Sequence, residues 1–295
     1  MASKAVLITG SSTGIGKAAA LLLDRRGLKV YACVRKEADG EALRKEATGA
    51  LTPVILDVTK ADTIAASRGL LERELAQTGL GALVNNAGIA VTAPLECIPL
   101  DDLRWQFEVN VFGQIAVTQA FMPLIRKAAG RVIFVGSLGG WVAPPLQGPY
   151  CGTKFALEGF CDAMRVEMAD SGISVSLVKP GAIATPIWER GADISRGVID
   201  RIAPDLLEPY RPAMERLRAA VGDTVAHAIP PEAVAEAIFE AVTVSKPRAR
   251  YLVGSDAKVA RYFRMLPDFL KDRLILRYYI ERAKRGAGKP APAGI

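Results

Sequence analysis

The segment "GPYCGTKFALEGF", residues 148–160, sets Tyr150 and Lys154 four positions apart among small and apolar residues. Pro149 suits the first turn of a helix, and positions four apart then share a face, which brings the lysine ammonium near the phenol. A phenol ordinarily titrates near ~10, and an adjacent positive charge favours its ionised form. A tyrosine placed in this way can exchange a proton with a hydroxyl or carbonyl oxygen near neutral pH, which is general acid–base work. Ser137, in "FVGSLGG" at the end of an apolar run, adds a hydroxyl able to hold the reacting oxygen. The plainer alternative is an amphipathic helix with a half-buried tyrosine and a snorkelling lysine. Other chemistry fits worse. The one histidine, His227, lies in "VAHAIPPE" and reads as structural or exposed, and "VGSLG" has Val135 where a nucleophile elbow carries glycine. Without His clusters or acidic ligand sets, no metal site is expected.

These residues sit in a regular alternation of elements. "KAVLIT" (4–9), "KVYACV" (29–34), "PVILDV" (53–58), "ALVNNA" (82–87), "RVIFVG" (131–136), "ISVSLV" (173–178) and "ARYLVG" (249–254) read as strands. Most are continuous apolar runs, as strands buried on both faces of a parallel sheet are. Helical patterns between them, such as "GKAAALLLDRRG" and "LRWQFEVNVFGQIAVTQAFMPLIRKA", predict βαβ units and a three-layer, Rossmann-type doubly wound α/β fold. "LITGSSTGIGKAAA" joins the first strand to the first helix. There Gly10, Gly14 and Gly16 let the backbone turn tightly and approach a pyrophosphate on the helix N-terminus. The spacing is not that of a P-loop, and Ala18 offers no hydroxyl for magnesium. A plain tight turn is the alternative for the loop by itself.

The TGxxxGIG spacing resembles the short-chain dehydrogenases/reductases, and other places agree in order: "NNAG" (85–88), Asn110 in "EVNVFG", Gly136–Ser137, Tyr150 with Lys154, and "KPGAIATP" (179–186). The resemblance covers residues 4 to 255. It implies a nicotinamide-dependent oxidoreductase, with Tyr150 as acid–base, Lys154 lowering its pKa and binding ribose, and Ser137 orienting the substrate. Asn110 would hold a water in a proton relay through Lys154. It also implies cofactor contacts at Ser12, Ile15, Asp57, Val58, Asn86, Ala87, Gly88, Pro180, Gly181, Ile183 and Thr185, and a homodimer or homotetramer built on the Asn110 and Tyr150 helices. "KVYACVRK", "YCGTKFALEGFCDAMRVEM" and "RYLVG" look most like the retinol and hydroxysteroid dehydrogenase branch.

The second strand discriminates between cofactors. An acid closing it would bind the adenosine ribose of NAD, but here Val34 is followed by Arg35 and Lys36. A guanidinium fork suits a 2′-phosphate, so NADP(H) is expected over NAD(H). Two features leave this open. Arg35 and Lys36 can be a solvated strand end, and Thr13 stands where many NADP-preferring relatives carry a basic residue.

The region 186–230 is expected to be a substrate lid within a domain spanning 1–255. Trp188, Leu206, Leu207, Tyr210, Met214 and Leu217, with Trp141, Val142 and Leu146, form either an apolar pocket or ordinary lid core. A small hydrophobic alcohol or carbonyl compound, steroid-, retinoid- or lipid-like, is the expected substrate class. Residues 246–295 hold 13 Lys/Arg against 4 Asp/Glu, whereas the preceding 245 hold 25 against 27, so the net charge of +7 belongs to the tail. The basic amphipathic extension 256–295 is read as a helix packed on the body, with peripheral membrane contact as the alternative. Its "RGAGKPAPAGI" ending is expected to fray. No nucleic-acid recognition motif is present. The N-terminus lacks a signal-peptide pattern, and the four cysteines have no ligand spacing, so a cytoplasmic protein with reduced thiols is expected. A dinucleotide-binding redox sensor and, less well, a sugar-nucleotide epimerase remain as other functions.

Overall fold

The computed structural model describes residues 5–263 and 265–287. The expected fraying at 288–295 lies outside the described residues. Seven strands run parallel in the order β3-β2-β1-β4-β5-β6-β7. They are β1 (Ala5–Ile8), β2 (Lys29–Val34), β3 (Leu51–Ile55), β4 (Ala82–Asn85), β5 (Arg131–Val135), β6 (Ser174–Pro180) and β7 (Arg250–Val253). The third strand starts two residues before its apolar run and admits Pro53. It tolerates a residue without an N–H because β3 is an edge strand.

Helices α1 (Gly14–Arg25), α2 (Glu37–Glu46) and α3 (Ala61–Glu74) follow the first three strands. The long helical pattern after β4 divides into α4 (Leu100–Phe107), a π-helical turn (Glu108–Phe112) and α5 (Gly113–Lys127). Next come α6 (Gly148–Glu167), α7 (Ile187–Ile199), α8 (Pro204–Leu207), α9 (Arg211–Ala226), α10 (Glu232–Thr243), α11 (Ser255–Phe263) and α12 (Asp268–Gly286). Side chains alternate across the sheet, so each strand feeds two cores. Leu7 and Tyr31 meet Phe121 of α5 and Leu157 of α6 on one face, while Val6 and Ile8 meet Leu23 of α1 and Ile238 of α10 on the other. The strand order reverses between β1 and β4, and ligands of open α/β sheets bind at such a switch point, outside the strand C-termini.

Beyond that layer, the chain's basic end does not stand apart. α12 packs along α9, with Tyr279 and Ala283 buried against Leu217, Ala220 and Val221.

Candidate active site

The glycine loop leaves β1 in a conformation few residues other than glycine adopt: Gly10 has φ +67° and Gly14 φ +56°. Gly16 meets a different constraint, because a Cβ there would lie 2.3 Å from the Gly10 carbonyl oxygen and 2.4 Å from Asn86 Nδ2. Thr9, just after β1, ties the loop to β4: its Oγ1 accepts from the N–H groups of Asn86 (2.9 Å) and Ala87 (3.0 Å). Asn86 donates in return to the carbonyls of Thr9 (2.9 Å) and Gly10 (3.1 Å). Its side chain is therefore a strut for the loop.

A dinucleotide fits this cradle. The α1 N-terminus has no side-chain cap from Thr13 and no acid in its first turn, so its N–H groups can donate to phosphate oxygens. Ser12 and Ile15 are half-buried beside it, and Thr185 closes over the turn, with Cβ 3.1 Å from where a Gly14 Cβ would stand. Arg190, exposed on α7, donates to Thr13 Oγ1 at 3.2 Å, bringing a cation to the position where the loop itself carries none.

The other expected cofactor residues divide. Arg35 and Lys36 are exposed at the end of β2. Asp57 Oδ1 accepts from the Thr59 N–H (3.0 Å) and hydroxyl (2.7 Å). Burial pushes that carboxyl up, but the Thr59 bonds and the charges of Arg35 and Lys60 outweigh it and hold the group below its ordinary range. Val58 is buried, and its backbone and side chain crowd Gly113. Pro180 ends β6. Gly181 is pressed by Asp256, whose Oδ2 accepts from the Ala182 N–H at 2.8 Å. Ile183 points into the core and gives its carbonyl to Trp188 Nε1 at 2.7 Å.

The residues expected to do acid–base chemistry come together near the ends of β4 and β5. Ser137 caps a short turn, its Oγ accepting from the Gly139 N–H at 3.0 Å, and it lines the same cavity as Tyr150. The Lys154 Nζ lies 5.7 Å from the Tyr150 ring centroid and donates to the Val135 carbonyl at 3.0 Å. Asn110 stands in the π-helical turn, where its side chain exchanges two bonds with Ile89 (2.8 and 2.9 Å) and donates to Thr153 Oγ1 at 3.1 Å. A π-turn inside an α-helix often marks a functional residue. Gly88 sits between them: a Cβ there would be 3.4 Å from Asn110 Oδ1 and 3.9 Å from Lys154 Nζ.

The charges differ from the simple expectation. Solvent still reaches part of Tyr150, yet enough protein surrounds its hydroxyl that burial pushes the phenol up to about 12, against the influence of the neighbouring Ser137 hydroxyl, which favours ionisation. Lys154 is pulled down to about 8, by burial first and then by the charge of Lys179. The ammonium thus stays charged at neutral pH, but in the chain alone burial outweighs what favours ionisation and the phenol stands above its ordinary range. Lys179 itself is fully buried, ion-paired with Glu158 and 3.6 Å from the Trp141 ring centroid. Glu158 also binds Arg250, at 2.8 Å.

Ser137 and Tyr150 open onto a cavity of about 500 Å³. Of the apolar residues singled out in the sequence, Val142, Trp188 and Leu217 line it. Leu146 and Met214 line a neighbouring cleft of about 230 Å³ instead. Tyr210 turns outward to hydrogen-bond Glu96, and the Trp141 ring lies against Lys179, so neither side chain lines the cavity. α11 and α12, read from the sequence as an appended tail, contribute Phe263, Ile275, Tyr278 and Arg282 to its wall.

The chain as a whole has relatives among known proteins. The family model described as short chain dehydrogenase matches residues 4–193. The chain belongs to the short-chain dehydrogenase family. It is 34% identical over 286 residues to retinol dehydrogenase 7 of Mus musculus, covering 92% of this chain and 87% of that one. It is 32% identical to the NADPH-dependent 3-dehydrocapnine reductase of Ornithobacterium rhinotracheale, over 92% and 95% of the two chains. Among solved structures, a short-chain dehydrogenase from Streptomyces avermitilis superposes with a TM-score of 0.73 at 25% identity, over 95% of this chain and 97% of that one. As a short-chain dehydrogenase, this protein is an oxidoreductase acting on CH–OH groups with a Rossmann-type NAD(P)-binding fold, and it resembles the retinol dehydrogenase branch.

Proposed function

We propose that the protein is an NADP(H)-dependent oxidoreductase that moves a hydride between cofactor and a hydrophobic alcohol or carbonyl compound, with Tyr150 as general acid–base. The observation that carries this reading is the placement of Ser137 and Tyr150 together on the wall of a largely apolar cavity next to the glycine loop. The nicotinamide supplies or takes up the hydride. The chain does the rest. Ser137 and Tyr150 hold the substrate oxygen, and in reduction the Tyr150 hydroxyl gives its proton to that oxygen as charge develops on it. Lys154, charged at neutral pH, stabilises the phenolate left behind. With burial raising the phenol, that stabilisation has to come from Lys154 together with the positive ring of the oxidised cofactor. Asn110 has its side-chain amide engaged with Ile89 and Thr153, so it holds the floor of the site in place, and the water relay through Lys154 remains part of the proposal.

Three features support NADP(H): exposed Arg35 and Lys36 at the end of β2, Val34 in place of an acid, and Arg190 over the loop. A relative named for its NADPH dependence agrees with them. Replacing Arg35 by Asp should shift the ratio of NADPH to NADH affinity by at least tenfold toward NADH, read by fluorescence titration. An unchanged ratio removes Arg35 from the site. For the chemistry, Tyr150→Phe should lower turnover by roughly 10²–10⁴-fold while NADPH still binds. If the wild type binds NADPH and turns over no member of a broad carbonyl panel, the redox-sensor reading replaces the enzyme.

The α4–π–α6 face exposes Trp105, Phe112, Phe155 and Phe160, and we assign it to pairing of two copies, as a dimer or as half of a tetramer. Light scattering checks the mass. No described helix is long and apolar enough to cross a membrane. The α11–α12 segment presents Val259, Tyr262, Met265 and Phe269 to solvent among basic residues, which supports peripheral contact with anionic lipid, checked by vesicle co-sedimentation. A cytoplasmic location belongs to the same proposal.

A further inference from the structure

Most of the large cavity is apolar, and among the described residues lining it Arg282 is the only cation. Arg282 stands on the wall made by α9 and α12, whereas Ser137 and Tyr150 belong to the wall made by the end of β5 and by α6. Its guanidinium is fixed from behind. Nη1 donates to Thr224 Oγ1, Nε lies 3.7 Å from Asp223 Oδ2, and the guanidinium carbon lies 5.3 Å from the Tyr278 ring centroid. Thr224 Oγ1 is itself engaged, donating to the Ala220 carbonyl at 2.7 Å. Asp223 is buried and contributes nothing to the cavity surface. What this wall offers is therefore donors. Arg282 lines the cavity, and so, three residues earlier, does Tyr279, whose hydroxyl is buried without a hydrogen-bond partner. Docking of α12 on α9 explains the Asp223 and Thr224 contacts, but it does not require a guanidinium at the cavity surface.

We propose that this wall receives a hydrogen-bond-accepting oxygen at the end of the substrate remote from its reacting carbon. The preferred substrate is then an elongated apolar alcohol or carbonyl compound with a second oxygen function, and not a plain hydrocarbon chain. The inference rests on the reading of Tyr150 as the acid–base residue, which fixes the end at which chemistry occurs. Asp223 balances the Arg282 charge, so the wall recognises a neutral carbonyl oxygen by its lone pairs as well as it does a carboxylate.

The test compares dodecanal, its analogue with a terminal methyl ketone, and its analogue with a terminal carboxylate. Each is measured in two ways: NADPH-dependent turnover, and displacement of a fluorescent apolar dye from the full-length protein. Wild type should favour the ketone-tipped over the plain aldehyde by roughly three- to tenfold in both, the range a single well-placed hydrogen bond supplies. The carboxylate arm reads whether charge adds to that preference. Arg282→Met should bring the ketone-to-plain ratio close to one. Because that change takes one partner from the buried Asp223 carboxylate, the paired variant Asp223→Asn with Arg282→Met gives the same reading in a protein without that charge. Equal handling of ketone-tipped and plain aldehydes by wild type, or a preference that survives both variants, overturns the proposal. A tip preference in dye displacement with no turnover of any aldehyde would instead remove the reductase reading and leave the recognition wall standing.

Discussion

Replacing Lys154 by Met should make the protein more stable at neutral pH while removing its activity. Burial and the nearby Lys179 charge lower Lys154 from 10.5 to about 8, so the folded chain carries this ammonium at a cost. At roughly 1.4 kcal/mol for each pH unit of displacement, the cost is about 3 kcal/mol. Methionine is of similar length and uncharged, and it forfeits the 3.0 Å bond to the Val135 carbonyl, worth about 1 kcal/mol. A net gain of about 2 kcal/mol remains, or roughly 3 °C in melting temperature for a chain of 295 residues. The pH dependence fixes the cause. Between about 8 and 10.5 the unfolded chain binds a proton at Lys154 that the folded chain has released, so wild-type stability rises with pH across that window. The variant lacks this slope. Its advantage should be full below pH 8 and gone above about 10.5, whereas the raised Tyr150 phenol acts in both proteins and cancels. Melting curves of the cofactor-free proteins at pH 7 and pH 10 measure this. A variant less stable than wild type at pH 7, or equally displaced at both values, would falsify the argument.

Two other substitutions probe the supports of the site. Glu158→Gln should cost about 3 kcal/mol or more, because fully buried Lys179 and the Arg250 guanidinium both depend on that carboxylate; urea unfolding measures it. Gly16→Ala should abolish NADPH binding and lower the melting temperature, since its methyl would overlap the Gly10 carbonyl and the Asn86 amide; retained affinity would mean that the loop can open.

Much of the site could be read from the sequence because its parts are local. Tyr150 and Lys154 share a helix turn, and the glycines are placed by the backbone conformation their own loop demands. Contacts between distant segments could not be read. Asp256 seats the turn at Gly181, Arg190 reaches Thr13, and Arg282 joins the cavity from more than a hundred residues beyond Tyr150, and none carries a periodic or motif signal. The π-helical turn at Asn110 was invisible for another reason: one extra residue per turn leaves an apolar pattern that still reads as α-helix. In the lid, apolar spacing found Trp188 and Leu217 but could not tell Met214 in the adjoining cleft from a cavity residue. Trp141 was misassigned because a fully buried lysine, Lys179, takes its ring as a partner.

The docking of α12 on α9 also sets an order of events during synthesis. Folding begins with the N-terminal part of an emerging chain, so the glycine loop and then the Tyr150 helix can take their places while α12 is still inside the ribosome. The wall that α12 adds to the cavity is therefore the last part of it to form.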